Sequence, residues 1–214
     1  MLFLFKNRNR INQKNRIKRN NKMEIVEGAS KTKWFIDQEN CDIGFSVKQL
    51  MISHVRGSFK TFDARIYTIG KDFKTAEIDF WIDTSSITTN DINSDKHLKS
   101  VDFFNVKKYK QIRFNSSVIL KSGSDGNYEL WGELTMLGVT RIIRFDLQFI
   151  GTLNDRWGNG RVGFNVTGII NRTDWGLTWN KFTESGGLLL SDEVAISCEV
   201  ELTKVGKREL AMEF

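Results

Sequence analysis

Asp42-Ile43-Gly44-Phe45-Ser46-Val47-Lys48 is the stretch on which the fold turns. Ile43, Phe45 and Val47 fall on one side of an extended backbone, with Asp42, Gly44, Ser46 and Lys48 on the other. A period of two with one apolar side is the mark of a half-buried β-strand.

Working outward, the same alternation returns in Ala76, Ile78, Phe80 and Ile82, in Ile112 and Phe114, and in Leu130 and Leu134. It continues in Ile143, Phe145, Leu147 and Phe149, in Val162, Phe164 and Val166, and in Val194, Ile196, Cys198, Val200 and Leu202. Turn residues at Gly70-Lys71-Asp72, Ser122 to Asn127 and Asn154 to Gly160 separate these runs at hairpin spacing. Parallel crossovers need helices, and Asn90 to Phe104 alone has a helical pattern, starting near Asp91. The expectation is an all-β fold: a single antiparallel barrel of about eight strands over residues 33–204, with one short helix capping an end.

Eight strands can close around packed side chains or around one ligand. Two features point to a cavity. The inward set is rich in Phe and Ile, and Trp175, Leu177 and Trp179 alternate in a late segment that reads partly as loop, as residues at a cavity mouth do. The candidate wall is therefore Phe45, Val47, Ile78, Phe80, Phe114, Phe145, Phe164, Trp175, Leu177 and Trp179.

The formal net charge of +6 belongs to one end of the chain. Residues 1–22 hold eight Lys or Arg and no acid, which leaves 24 basic against 26 acidic residues in the remainder. Residues 1–32 read as a flexible, basic, disordered tail, of which residues 1–22 read equally as translated from upstream of a true start at Met23; a nucleic-acid or membrane-surface arm is the alternative. Met1 to Phe5 is too short for a secretory core and its charges follow rather than precede it, so no signal peptide is expected. No transmembrane helix is expected either. The placement that follows is cytoplasmic, or periplasmic if the N-terminus is misassigned. Residues 205–214 read as a charged end. Cys41 and Cys198 are too few for a disulfide framework or a metal cluster, and free thiols are expected.

Four motifs bear on chemistry. Gly158-Asn159-Gly160-Arg161-Val162-Gly163 matches a dinucleotide pattern but precedes a strand, so it reads as a turn. Asp91, Asn93, Asp95 and Asp102 echo a calcium loop but have Lys96 where Gly is required, so capping is the better reading. His97, near Asp95 and Asp102, is a candidate general base or a rim hydrogen-bonding group. Arg172, beside Asp174, either meets an anionic head group or ties a loop. No metal, cofactor or catalytic residue is assigned.

Taken in order, several stretches resemble the YceI-like family over about Trp34 to Lys204. They are Trp34-Phe35-Ile36-Asp37, Ile43-Gly44-Phe45-Ser46-Val47, Val55 to Phe62, Asp95-Lys96-His97-Leu98-Lys99-Ser100-Val101-Asp102-Phe103-Phe104, Ile112-Arg113-Phe114, Gly132 to Thr140, and Asn171 to Leu177. The resemblance implies a lipocalin-like barrel that binds polyisoprenoids or other long amphiphiles, and it assigns no catalytic residue. The leading expectation is non-catalytic carriage of a polyisoprenoid or fatty-acid-like lipid, with His97 or Arg172 at its polar end. Rival expectations are an enzyme acting on such a lipid through His97, and nucleic-acid or membrane-surface binding through the tail. The lipid is the one partner expected and nucleic acid is not, while transient membrane contact and a homodimer stay open.

Overall fold

The computed structural model describes residues 30–50, 52–123, 125–154, 158–181 and 189–204. The expected tail up to residue 29 and the charged end 205–214 lie outside the described residues. The chain divides into the compact units Met1–Lys31 and Thr32–Phe214, and the architecture that follows is that of the second.

Eleven strand segments form one sheet among the described residues: β1 (Lys31–Ile36), β2 (Asp42–Gln49), β3 (Ser53–Phe59), β4 (Phe62–Ile69), β5 (Asp72–Asp83), β6 (Ile87–Thr88), β7 (Gln111–Lys121), β8 (Asn127–Met136), β9 (Val139–Asn154), β10 (Gly160–Asn171) and β11 (Leu190–Lys204). They amount to eight staves, because three staves are broken. β1 and β2 are split by a 3-10 turn at Gln38–Asn40 and lie successively along β11, through Phe35 opposite Thr203 and Ile43 opposite Cys198. β3 and β4 are split at Lys60 and Thr61. β5 and β6 are split by a 3-10 turn at Thr84–Ser86, whose Asp83 carboxylate accepts from the Ser85 N–H at 2.8 Å. With β7 to β11 the ring closes back on β1, so the chain is a closed antiparallel barrel with one helix, α1 (Ile92–Leu98).

Inward alternation holds along most staves, as in Phe62, Ala64, Ile66 and Thr68 of β4, all buried between exposed or half-buried neighbours. It fails where a bulge between Ser116 and Val118 shifts β7 by one residue. Beyond that point Ile119, opposite Leu130, faces inward. A bulge inserts one unpaired residue and so reverses side-chain parity, which strict period-two reading cannot anticipate.

The helix is shorter than the expected span from Asn90 to Phe104. Asp91 caps its start by accepting from the Ser94 N–H at 2.7 Å. After Leu98 the chain folds back: the N–H of Phe104 donates to Leu98 at 3.0 Å and that of Asn105 to Ser100 at 2.7 Å, with Asn105 at φ 42°. This compact turn brings Phe103 and Phe104 onto the barrel interior. No helix among the described residues is long and apolar enough to cross a membrane.

Candidate functional site

The barrel encloses a cavity of about 400 Å³, lined by inward residues of nearly every stave. Among the described residues on its wall, the polar side chains are Ser94, His97 and Arg172, besides the Cys198 thiol and the Trp179 indole. That volume lies within the roughly 300–1,000 Å³ typical of small-molecule sites. An apolar wall offers a ligand no hydrogen bonds, so it discriminates by shape and length.

Phe45, Val47, Ile78, Phe80, Phe114, Phe145, Phe164, Leu177 and Trp179 all line this cavity. Trp175 does not, which corrects its expected place on the wall. It is 2% exposed, and its indole N–H donates to the Leu134 carbonyl at 3.1 Å, pinning the 3-10 turn Arg172–Trp175 to β8. Alternation in a loop segment gives no fixed facing direction, so parity with Leu177 was no guide. Sequence reasoning left out Phe59, Phe73, Leu98, Phe103 and Phe104, which also line the cavity. Phe59 shares parity with Val55 and was within reach of the pattern, whereas Phe103 and Phe104 owe their facing to the turn after α1.

Three inward positions are glycines with a phenylalanine lying across them. A Cβ on Gly57 would meet the Phe45 ring at 2.4 Å, on Gly132 the Phe114 ring at 2.4 Å, and on Gly168 the Phe145 ring at 2.5 Å. Each ring lies where a side chain would otherwise stand, and the space it would have filled belongs to the cavity.

One end of the cavity is plugged by rings on paired strands. Trp34 and Phe73 stand 4.9 Å apart, Phe73 and Phe164 5.0 Å, and Phe149 and Phe164 5.8 Å between ring centroids. The Trp34 indole donates to Thr68 Oγ1 at 2.9 Å, and the Thr68 hydroxyl donates to the Gly70 carbonyl at 2.7 Å, so the buried polar atoms there are satisfied.

The opposite end carries α1, the turn after it and the segment after β10. His97 meets the Trp179 ring edge-on at 4.5 Å and the Phe103 ring at 5.0 Å, and its Nε2 lies 3.2 Å from an Asp102 carboxylate oxygen. Asp95, expected beside His97, is used elsewhere: it accepts from Thr88 Oγ1 at 2.7 Å and from the Thr89 N–H at 2.6 Å. Burial alone would raise the Asp95 carboxyl, but these bonds and nearby Lys99 hold it below its ordinary value. Asp91, Asp95 and Asp102 thus serve three separate local bonds, and no metal-binding cluster of His, Cys, Asp or Glu exists among the described residues. The glycines from Gly158 lead into β10 and no helix, as a turn requires.

Arg172 lines the cavity and also ties the loop that follows β10. It is 4% exposed; Nε donates to the Ser191 carbonyl at 3.0 Å, one terminal nitrogen to the Leu177 and Trp179 carbonyls, and the other to Asp192 at 3.2 Å. Four of its five N–H groups are thereby engaged in tying the loop. Its ion-pair partner is Asp192 rather than Asp174. Burial lowers its pKa, partly offset by Asp192.

Cys41 and Cys198 are both free. Burial pushes the Cys198 thiol up to about 12 and also raises that of Cys41.

A closed barrel around a near-wholly apolar cavity defines the class of lipocalin-like binding proteins. The chain belongs to the YceI-like family, whose YceI-like domain model matches residues 34–202. Its relatives include a UPF0312 protein of Pectobacterium atrosepticum, 36% identical over 150 residues, covering 70% of this chain and 77% of that protein. A UPF0312 protein of Staphylococcus aureus is 35% identical over 173 residues, covering 80% and 98%. Among solved structures, the YceI protein of Campylobacter jejuni superposes with a TM-score of 0.64 at 29% identity, covering 74% of this chain and 90% of that one. Two more distant structures share the fold. BcnA of Burkholderia cenocepacia has a TM-score of 0.67 at 20% identity, covering 78% of this chain and 98% of that one. A polyisoprenoid binding domain of Saccharophagus degradans has a TM-score of 0.60 at 16% identity, covering 81% and 99%. The fold and family support a binding role.

Proposed function

We propose that the protein carries a long apolar amphiphile, a polyisoprenoid or fatty-acid-like lipid, with its chain in the barrel and its polar end toward His97. The observation that carries this reading is the wall itself: a cavity of about 400 Å³ whose polar side chains gather at the α1 end. A distant relative of this fold is a polyisoprenoid binding domain, which agrees with that ligand class. Carriage is preferred to turnover because the hydrogen-bonding partner of His97 among the described residues is Asp102, with no hydroxyl or thiol joined to it. Arg172, with its donors engaged by the loop, acts as a fastening rather than as the head-group ligand.

The test is titration with isoprenols and fatty acids of increasing length, read by tryptophan fluorescence, alongside mass spectrometry of lipid co-purified with the protein. Because Trp179 lines the cavity and Trp175 does not, Trp179→Phe is expected to remove most of the signal while leaving affinity nearly unchanged. Each added methylene brings about 0.8 kcal/mol, or roughly fourfold in affinity, until the cavity is full. No dependence on chain length together with no co-purified lipid overturns the carrier reading and leaves the barrel standing.

A further inference from the structure

The three most exposed large hydrophobic side chains among the described residues are Ile52, Ile92 and Val101, at 87%, 83% and 78%. All three belong to the α1 end of the barrel. Ile52 sits in the turn between β2 and β3, Ile92 opens α1, and Val101 lies in the turn that follows it. Isolated apolar residues on a surface need no explanation, but a concentration of the extreme cases around one end of an apolar cavity does.

Charge at the same end is mixed with bases in excess, and the acids there include Asp174, Glu193 and Asp192, the last paired with Arg172. Residues 89–110 hold Lys96, Lys99, Lys107, Lys108 and Lys110 against Asp91, Asp95 and Asp102. Each of these carboxylates already serves a local bond, to Ser94, to Thr88 and Thr89, and to His97. Lys48 of β2 and Arg56 of β3 flank the turn between those strands with no acid between them. The plugged end differs: Lys74 pairs with Asp72 at 3.5 Å and Lys121 with Asp125 at 2.6 Å. No such pair is formed by Lys96, Lys107 or Lys110 among the described residues.

On α1 the division runs along the helix. Ser94, His97 and Leu98 line the cavity, while Ile92 and Lys96, one turn apart, stand exposed to solvent. A surface of exposed aliphatic residues beside Lys96, Lys107 and Lys110, which form no ion pair among the described residues, matches an anionic bilayer: the apolar groups enter the headgroup boundary and the lysines meet lipid phosphates.

We propose that this end of the barrel docks on an anionic lipid bilayer through Ile52, Ile92, Val101 and the surrounding lysines, holding the cavity against the membrane. The inference rests on the carrier reading for its purpose, but its test uses protein without added cargo, so the two fail separately. The full chain keeps the basic N-terminal tail, which can itself hold protein to anionic vesicles, so the readout must be local to the barrel end. A polarity-sensitive thiol probe is attached at Val101→Cys or, as the control at the plugged end, at Lys71→Cys. Both are made in a Cys41→Ser background, with buried Cys198 left unreactive.

Vesicles of equal parts phosphatidylcholine and phosphatidylglycerol are expected to shift the Val101→Cys probe to the blue and leave the Lys71→Cys probe unmoved. Phosphatidylcholine alone is expected to do neither, and Lys96→Glu with Lys107→Glu should raise the lipid needed for half the shift by about tenfold. Both side chains are exposed, so the fold tolerates the change. A probe at Ile92→Cys should repeat the Val101→Cys result. No shift at either mouth position, equal shifts at both ends, or indifference to the lysine substitutions overturns the proposal.

Discussion

The two ends of the barrel use the same material to different effect. At the plugged end Trp34, Phe73, Phe149 and Phe164 sit on strands of the closed sheet, β1, β5, β9 and β10, with Phe149 and Phe164 paired opposite each other. At the other end His97, Phe103 and Trp179 make ring contacts as close, 4.5 to 5.2 Å, yet they sit on a seven-residue helix, a turn and a segment without regular pairing. The His97 side chain is also 38% exposed. Contact distance alone therefore does not measure how firmly an end is shut. What differs is the free energy of moving the backbone beneath the rings, large for a strand within a closed sheet and small for a short element joined by few hydrogen bonds. We term the first end the floor and the second the door, a distinction that substitutions at each end test.

The largest effect is expected from the floor. Phe164→Asp places an unpaired charge among Trp34, Phe73 and Phe149 and should cost more than about 4 kcal/mol, enough to abolish cooperative thermal unfolding. A folded, ligand-binding Phe164→Asp protein would erase the distinction between the ends.

Next comes the fastening of the door. Arg172→Gln removes donors from the Ser191, Leu177 and Trp179 carbonyls and leaves half-exposed Asp192 to solvent, at about 2–3 kcal/mol by the cost of leaving buried carbonyls without their donors. Affinity should fall alike for fatty acids and for neutral alcohols of equal length, because the loop rather than a head-group contact is lost. Selective loss for the anionic ligand would return Arg172 to the head group.

A smaller effect comes from acid. The Asp95 carboxyl is held below its ordinary value in the folded protein, so its contribution is fully present above the unfolded value of about 3.9 and is lost as pH falls through the folded one. Below about pH 4, hydrogen exchange over residues 89–104 should quicken before it does around Trp34 and Thr68, whose mutual bond involves no titrating group. Asp95→Asn should show that faster exchange already at neutral pH.

The smallest effect on stability is expected for His97→Ala, less than about 1 kcal/mol for a partly exposed side chain. Its kinetic effect should be larger: with the edge contacts to Phe103 and Trp179 gone, ligand release measured by stopped-flow fluorescence should quicken, with little change in melting temperature. A melting loss as great as that of Arg172→Gln would mean the door is built like the floor.

The sheet was legible in the sequence because its signal is local. Ile43, Phe45 and Val47 announce their facing within seven residues, and so do Ile78, Phe80 and Ile82. The door was legible only in part. Trp175 shares its spacing with Leu177 and Trp179, yet bonds away from the cavity to Leu134, a residue 41 positions earlier. Arg172 passes over nearby Asp174 for Asp192, and Phe103 reaches the cavity through a turn whose hydrogen bonds follow no period. Periodicity reports on regular backbone, and the door is made of what lies between.

The glycines beneath the phenylalanine rings carry a consequence for how such a barrel diversifies. Gly168 meets mainly the Phe145 ring, whereas Gly132 also faces the Asn115 carbonyl at 2.5 Å and Gly57 the Thr88 carbonyl at 2.8 Å. A methyl at Gly168 therefore has one chief opponent, and that opponent swings into the cavity, while strand pairing is left as it was. Position 168 acts as a set-screw: turning it narrows the cavity without redrawing the sheet. Barrels of one fold can in this way differ in cavity size through single small substitutions, each invisible to any comparison of folds.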